Sequence, residues 1–247
     1  MTSLHTPIPS LNNPALQARL QHVLDNKTKP LGALGQLETL ALRIGLILGN
    51  EAPVLHAPQV VVYAADHGLA ARGVSAYPSD VTWQMVENFL AGGAAISVLA
   101  RQHGLALQVA DCGVRHDFAP RPALLDLKIA HGSADSLEHP AMTAAQCEQA
   151  LAHGAALVQK LPGNALLLGE MGIGNTSAAS LLMTRLCGLP IADCTGAGTG
   201  LDAAAVQRKT QILAQVLQRH ADAKTPLEAL AALGGLEIAT MVGSVLQ

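Results

Sequence analysis

An apolar run that leads into a glycine-rich turn constrains the fold of this chain more than any other feature. Residues 165–168 predict a short buried strand, and residues 177–186 predict a helix rich in alanine. Between them lies the first glycine turn (residues 169–176). Glycine allows backbone N–H groups to converge on one point, and the N-terminus of a helix adds partial positive charge. This order of elements predicts an α/β fold with an anion-binding turn.

The first glycine turn has nearly the spacing of a phosphate-binding P-loop, with one important difference. Gly169 and Gly174 are correctly separated, but Asn175 stands where a P-loop has its lysine. Without that lysine the turn would neutralise a triphosphate poorly. Because Glu170 adds a carboxylate at the end of the strand, we predict a turn that binds one phosphate beside an acid. A P-loop nucleoside triphosphatase is the alternative, and tight magnesium-dependent ATP binding would favour it.

A second glycine turn (residues 195–200) contains Gly196 and Gly198 and follows an apolar segment, 188–193, that predicts a fourth strand. Glycine turns at the ends of successive strands can contact one ligand from two sides, so Gly196 and Gly198 are candidate binding residues. Lys209 lies about two turns inside the helix predicted for residues 202–220. Its side chain is either solvated or paired with Glu170 or a phosphate.

Two earlier apolar runs, 59–65 and 105–111, predict further strands. Continuous runs rich in β-branched residues are typical of parallel strands that are buried on both faces. Asp66 and His67 follow the first run directly. Ligands of open α/β sheets bind beyond the carboxyl ends of the strands, so both residues are candidates for the site, although Asp66 could equally cap a loop.

The large flat or polarizable side chains are concentrated between residues 77 and 89. Aromatic residues make up only 2% of the chain, so Tyr77, Trp83 and Phe89 are unusually informative, as is Met85 among them. The cluster predicts either core packing or an apolar slot for a flat ring.

The first fifty residues differ from the rest because they show helical periodicity without strands. Apolar residues at helical spacing predict helices from residue 14 and over 33–48. We therefore predict a small N-terminal helical subdomain (residues 1–50) and an α/β domain (residues 51–247) with a Rossmann-like, mostly parallel sheet flanked by helices. Residues 114–140 predict a long irregular loop. The helical pattern of residues 227–247 ends without a cap, so we expect the α/β domain to be incomplete at its C-terminal end.

Composition excludes several classes of function. The net charge is −3 and only 13% of residues are charged, without a basic block, which argues against nucleic acid as a partner. Neither the four cysteines nor the ten histidines have the spacing of a metal site, so we expect no metal. The sequence shows no signal peptide and no apolar run long enough to span a membrane. We therefore expect a cytoplasmic protein.

Taken together, these segments resemble the nicotinate-nucleotide–dimethylbenzimidazole phosphoribosyltransferase family of cobalamin biosynthesis. The resemblance extends over nearly the whole chain and is most specific in the first glycine turn. The matching stretches are residues 27–38, 65–68, 73–78, 140–143 and 169–176.

The resemblance implies a reaction, a set of residues and an assembly. Members transfer the ribose 5-phosphate of nicotinate mononucleotide to a benzimidazole nitrogen, which gives nicotinate and an α-ribazole 5′-phosphate. The resemblance implies a homodimer, and it implies no cofactor or metal. Glu170 and Lys209 would lie at the ribose and nicotinate end, and Tyr77, Gln84 and Met85 would line the slot for the base. The 5′-phosphate would be held by Gly172, Ile173, Gly174, Asn175 and Thr176.

This sequence departs from the family pattern at its end. Members continue beyond the position of Gln247 and include a glutamate that acts as general base on the incoming benzimidazole. No residue of this chain matches that glutamate, and Glu237 does not correspond to it. The alternative interpretation is therefore a truncated member that binds a mononucleotide or base with little or no turnover.

Overall fold

The computed structural model describes residues 8–247, and the chain divides into two compact units. The first unit ends at His56 and the second begins at Ala57. The predicted N-terminal subdomain also includes residues 1–7, which lie outside the described range.

The first unit is a helical hairpin of α1 (Pro14–Asp25) and α2 (Gln36–Leu48). Asn13 caps α1, because its side chain accepts a hydrogen bond from the N–H of Leu16 at 3.0 Å. The second helix begins three residues later than the periodicity predicts. Gly32 and Gly35 adopt φ angles of 71° and 54°, which glycine tolerates and a helix does not, so the chain turns before α2 starts.

The second unit is built on a four-stranded sheet in which all strands are parallel. The strands are β1 (Gln59–Ala65), β2 (Ala106–Gly113), β3 (Leu124–Asp126) and β4 (Leu166–Met171), in the spatial order β3-β2-β1-β4. The prediction of a Rossmann-like, parallel sheet flanked by helices is confirmed. β3 lies within the segment that was predicted to be irregular, and its three residues are too short to show a period.

Helices cover both faces of this sheet. They are α3 (Val81–Leu90), α4 (Ala95–Gln102), α5 (Ala144–Val158), α6 (Asn175–Cys187), α7 (Ile191–Cys194), α8 (Ala203–Arg219), α9 (Pro226–Leu233) and α10 (Leu236–Leu246), with a 3₁₀ turn over Gly68–Arg72. Alternate residues of β1 point to opposite layers. Val61 and Tyr63 pack against α5, α9 and α10, whereas Val62 and Ala64 pack against α3 and α4.

The strand predicted for residues 188–193 is wrong. Gly188 ends α6 in the left-handed conformation, with a φ angle of 68°, and α7 begins two residues after Leu189. Pro190 lies between them and has no N–H with which to join a sheet ladder. The apolar residues therefore form a short helix, and the second glycine turn follows α7 instead of a strand.

The last helix, α10, packs unusually closely on α5, and two glycines permit this approach. A Cβ atom on Gly154 would overlap the carbonyl oxygen of Thr240, and one on Gly243 would overlap that of Leu151. Tyr63 of β1 adds a buried hydrogen bond of 2.7 Å to the hydroxyl of Ser244. These contacts place the start of α10 beside the carboxyl end of β1. No helix in the described range is long and apolar enough to cross a bilayer.

Candidate active site

The carboxyl ends of β1 and β4 lie side by side, and the first glycine turn crosses directly over the end of β1. A Cβ atom on Gly172 would overlap the carbonyl oxygen of Ala65 and would lie 3.3 Å from Nε2 of His67. Gly174 has a φ angle of 97° and packs against Ala70 and His67. Only glycine meets both requirements, so the turn is pressed against the segment that follows β1.

The backbone of the first glycine turn includes unused donors. The N–H groups of Ile173, Asn175 and Ser177 take part in hydrogen bonds within the chain. No hydrogen bond found among residues 8–247 uses the N–H of Gly174 or Thr176. Because α6 begins at this point, its helix dipole adds to these donors. These donors are suited to an anion, and the anion-binding role of the turn stays a prediction.

Helix α3 supports the turn from one side. Thr82 is fully buried, and its hydroxyl oxygen accepts the N–H of Ile173 at 3.1 Å. A buried donor such as this N–H requires a partner, so Thr82 fixes the position of the turn relative to α3.

Asn175 and Glu170 contact each other through their side chains. The amide nitrogen of Asn175 donates to a carboxylate oxygen of Glu170. The residue at the position of the P-loop lysine therefore orients an acid. Desolvation raises the pKa of Glu170, the carboxylate of Glu237 raises it further, and His67 opposes both. A carboxyl group with a raised pKa is suited to proton transfer nearer to neutrality.

Lys209 lies beneath the first glycine turn and is only 1% exposed, so the solvated interpretation of this residue is wrong. Its Nζ donates to the hydroxyl of Thr176 at 2.9 Å, and not to Glu170. Burial lowers the pKa of Lys209. Gly198 of the second glycine turn lies against both groups, since a Cβ there would be 3.3 Å from Oγ1 of Thr176 and 3.6 Å from Nζ.

The two glycine turns thus approach each other, as predicted, although only one of them follows a strand. Gly198 makes the close contact, whereas Gly196 is exposed and has no atom near the position of a Cβ. The loop before α3 joins them, because the hydroxyl of Ser75 is 3.4 Å from that of Thr199.

The residues predicted to line a slot are divided between surface and core. Tyr77 is 52% exposed and Gln84 is also exposed. Met85 packs instead with the core residues around Val62. The indole of Trp83 stacks on the ring of His116, with centroids 4.9 Å apart.

Asp66 and His67 both lie at the carboxyl end of β1, as predicted, but their side chains have different hydrogen-bond partners. Asp66 is 2% exposed, and its Oδ2 accepts the N–H of Arg115 at 2.8 Å, which fits the loop-capping interpretation. His67 is 3% exposed, and its Nε2 lies 2.6 Å from Oε1 of Glu237.

Glu237 is the residue that sequence reasoning missed. It is fully buried at the start of α10 and is separated from His67 by 170 positions in the chain. The only local signal is an acid in an otherwise apolar segment after Gly234 and Gly235. Nothing in that segment indicates which distant side chain it contacts.

Among residues 8–247, no group of three or more His, Cys, Asp or Glu side chains is arranged to hold a metal ion. A cavity of about 610 Å³ lies between α5, α8 and α9, and its lining includes Met142, Cys147, Arg219 and Leu227. None of the predicted site residues lines it.

Comparison with known proteins gives consistent matches over the described chain. A family model described as phosphoribosyltransferase matches residues 8–247. The nicotinate-nucleotide–dimethylbenzimidazole phosphoribosyltransferase of Variovorax paradoxus (strain S110) is 68% identical over 250 residues, which cover 100% of this chain and 72% of the relative. The enzyme of the same name from Dechloromonas aromatica (strain RCB) is 54% identical, with 98% and 72% covered.

Solved structures agree with the sequence matches. The crystal structure of CobT from Thermus thermophilus superimposes with a TM-score of 0.87 at 42% identity, covering 92% of this chain and 69% of that one. A second structure from the same organism, of nicotinate-nucleotide–dimethylbenzimidazole phosphoribosyltransferase, gives a TM-score of 0.85 at 41% identity and covers 94% of this chain and 69% of that one.

The burial of Lys209 generates a prediction about stability. Lys209→Met removes a buried cation, and Thr176 is exposed enough to hydrogen-bond water instead, so we expect the free energy of unfolding to rise by about 1 kcal/mol at neutral pH. Because the pKa of Lys209 is lowered in the folded state, the unfolded chain retains more protons than the folded chain as the pH approaches the ordinary lysine pKa. The wild type should therefore gain stability relative to the variant toward about pH 10.

Chemical denaturation at both pH values measures this difference. Arg208→Met is the matched control, because Arg208 is exposed on the same helix and its loss should change stability by no more than about 0.5 kcal/mol. A Lys209→Met variant that is less stable than wild type at neutral pH would contradict the prediction.

Proposed function

Because this chain belongs to the nicotinate-nucleotide–dimethylbenzimidazole phosphoribosyltransferase family, we propose that it transfers ribose 5-phosphate from nicotinate mononucleotide to 5,6-dimethylbenzimidazole. The products are nicotinate and α-ribazole 5′-phosphate. The family match indicated by the sequence motifs is confirmed by these relatives. The observation that carries the proposal is the first glycine turn, whose unused N–H donors lie beside Glu170 and Lys209.

In this proposal the first glycine turn binds the 5′-phosphate of the donor. The N–H groups of Gly174 and Thr176 and the N-terminus of α6 supply hydrogen bonds and partial charge. Lys209 supplies a full positive charge below Thr176. These groups can neutralise a single phosphate. A triphosphate would also need the P-loop lysine, and Asn175 occupies the position of that lysine.

Glu170 is proposed to act at the ribose. As the bond between C1′ and the nicotinate ring breaks, its electron pair returns to the pyridinium nitrogen, and positive charge develops on the ribosyl carbon. A carboxylate held in place by Asn175 stabilises that charge. The neutral pyridine is already a good leaving group, so the main tasks of the protein are positioning and electrostatic stabilisation.

The acceptor ring is proposed to bind next to the second glycine turn. Tyr77 and Gln84 have exposed side chains that could contact the ring, whereas Met85 packs in the core around Val62. The contact between Ser75 and Thr199 joins the loop that carries Tyr77 to the second glycine turn, which supports the placing of the base beside the donor. In the same proposal, the glycines of the second turn would contact the nucleotide from the side opposite the first glycine turn.

The reaction is tested by nicotinate release that depends on 5,6-dimethylbenzimidazole. Glu170→Gln keeps the size of the side chain but removes its charge, and we expect kcat to fall by about 10²- to 10³-fold. Glu148→Gln, an exposed position on α5, is the control and should keep the wild-type rate. Wild-type protein that releases no nicotinate would overturn the proposed reaction, and a fully active Glu170→Gln would overturn the role of this residue.

The phosphate site is tested by a pair of glycine variants at the two ends of α6. Gly174 and Gly188 both have positive φ angles, so valine should introduce comparable strain of about 1–2 kcal/mol at each. Gly174→Val also brings a Cβ to within 3.2 Å of Ala70 and 3.4 Å of His67, whereas Gly188 has no atom within 4 Å of a Cβ. Only Gly174→Val should therefore displace the turn that is proposed to hold the phosphate. We expect Gly174→Val to weaken binding of nicotinate mononucleotide by at least about tenfold in calorimetry. Equal affinities of the two variants would contradict this assignment.

Homodimer formation is also proposed. In the helical unit, Leu34, Leu37, Leu40 and Ile47 expose between 51% and 62% of their surface. An exposed row of large apolar side chains supports a contact with a second copy. Light scattering after size exclusion should therefore give twice the chain mass, and a monomer at micromolar concentration would contradict the proposal.

A cytoplasmic location without a nucleic-acid partner completes the proposal. The four cysteines, Cys112, Cys147, Cys187 and Cys194, are all free thiols, which fits a reducing compartment. The net charge of −3 supports a small-molecule substrate over a polyanion.

A further inference from the structure

A buried acid–base pair lies behind the first glycine turn and has no part in the mechanism described so far. His67 and Glu237 are 3% and 0% exposed, and Nε2 of the ring is 2.6 Å from Oε1 of the carboxylate. A carboxylate oxygen only accepts, so the ring nitrogen donates. Cβ atoms on Gly172 and Gly174 would lie 3.2 and 3.4 Å from the ring Cδ2 and from Cβ of His67, respectively. The ring is therefore held between the turn and α10.

The carboxylate of Glu237 depends on this one partner. Its second oxygen, Oε2, has no hydrogen-bond partner among the described residues. A Cβ atom on Gly235 would lie 2.6 Å from that oxygen and would overlap Cε1 of His67, so the segment before α10 is packed tightly on the pair. An ion pair buried in this way adds little stability, because desolvation offsets the attraction between the charges. Its position next to the phosphate-binding backbone points to another role.

We propose, on the basis of the proposed function, that Glu237 is a positioning residue for phosphoribosyl transfer. Its carboxylate holds the His67 ring against the first glycine turn, with the positive end of the pair toward the bound 5′-phosphate. The positive end of the pair thereby adds to the charge of Lys209 on the protein side of the turn. Through Glu237 the last helix of the chain contributes to a site that is otherwise built from β1, β4 and α6.

The charges around His67 agree with this arrangement. Burial by itself would lower the pKa of His67, but Glu237 of α10, Asp66 of the β1 end and Glu170 of β4 raise it above its ordinary value. The raised pKa favours the imidazolium form of the ring. The same pair acts on Glu170 in two directions, because Glu237 raises the pKa of Glu170 and His67 lowers it. Removal of either partner should change both phosphate binding and the titration of Glu170.

Glu237→Gln tests the role, because it keeps the size of the side chain and its contact with the ring but removes the charge that keeps His67 protonated. We expect the affinity for nicotinate mononucleotide to fall about tenfold at neutral pH. The difference from wild type should shrink toward acidic pH, where both rings are protonated, and widen toward neutrality. His67→Gln should reduce the affinity for nicotinate mononucleotide by a similar factor, but without this pH dependence. The double variant should lose no more affinity than either single variant.

Two further measurements make the result decisive. Glu148→Gln, with its charge removed from the exposed face of α5, should bind like wild type at every pH. NMR titration of the His67 ring in the wild-type protein should give a pKa above the ordinary histidine value, and this readout does not require a stable variant. A lowered value would overturn the proposal.

The outcomes also separate this inference from the function on which it rests. If the wild type binds nicotinate mononucleotide but Glu237→Gln binds equally well with the same pH profile, the positioning role fails and the function stands. If the wild type does not bind the mononucleotide at all, the proposed function fails, and the positioning role fails with it.

Discussion

The close crossing of Gly172 over the end of β1 is the contact on which the whole site depends. β1 and β4 pair in parallel with Tyr63 opposite Glu170, so the two strands end at nearly the same level. The chain that leaves β4 must then pass over the carbonyl of Ala65, where any side chain would collide. This crossing presses the first glycine turn against His67, and Glu170 at the end of β4 contacts the turn through Asn175.

The remaining charges reach this turn from segments that are distant in the chain, and each is held by packing. Lys209 enters from α8 beneath Thr176, because α8 packs against the buried cluster that contains Leu213 and Leu181. Glu237 enters from α10, which glycines at positions 154 and 243 allow to lie directly on α5. Both side chains are buried in the folded chain. The site combines buried charges with a backbone turn that is buried at Gly172 and Gly174 and becomes exposed at Thr176.

Sequence reasoning succeeded where a feature is local and failed where a segment depends on its surroundings. Residues 59–65 and the 169–176 turn were recognisable because strand, glycine and helix signals are adjacent in the chain. The segment 188–193 has the apolar composition of a strand, but Gly188 and Pro190 and the absence of a neighbouring strand among the described residues make it a helix. Met85 has the same chemistry in a binding slot as in a core, and only its contacts with the residues around Val62 place it in the latter.

The sequence by itself determined the α/β class, the family and the place of the glycine turn that is proposed to bind phosphate, because these depend on residue types at short and fixed spacings. It also identified His67, Glu170 and Lys209 as residues of interest. Only the tertiary structure decided what each of them contacts: His67 meets Glu237, Glu170 meets Asn175, and Lys209 is buried under Thr176. Burial and pairing of charges arise from contacts between segments up to 170 residues apart, and no local pattern encodes which segments meet.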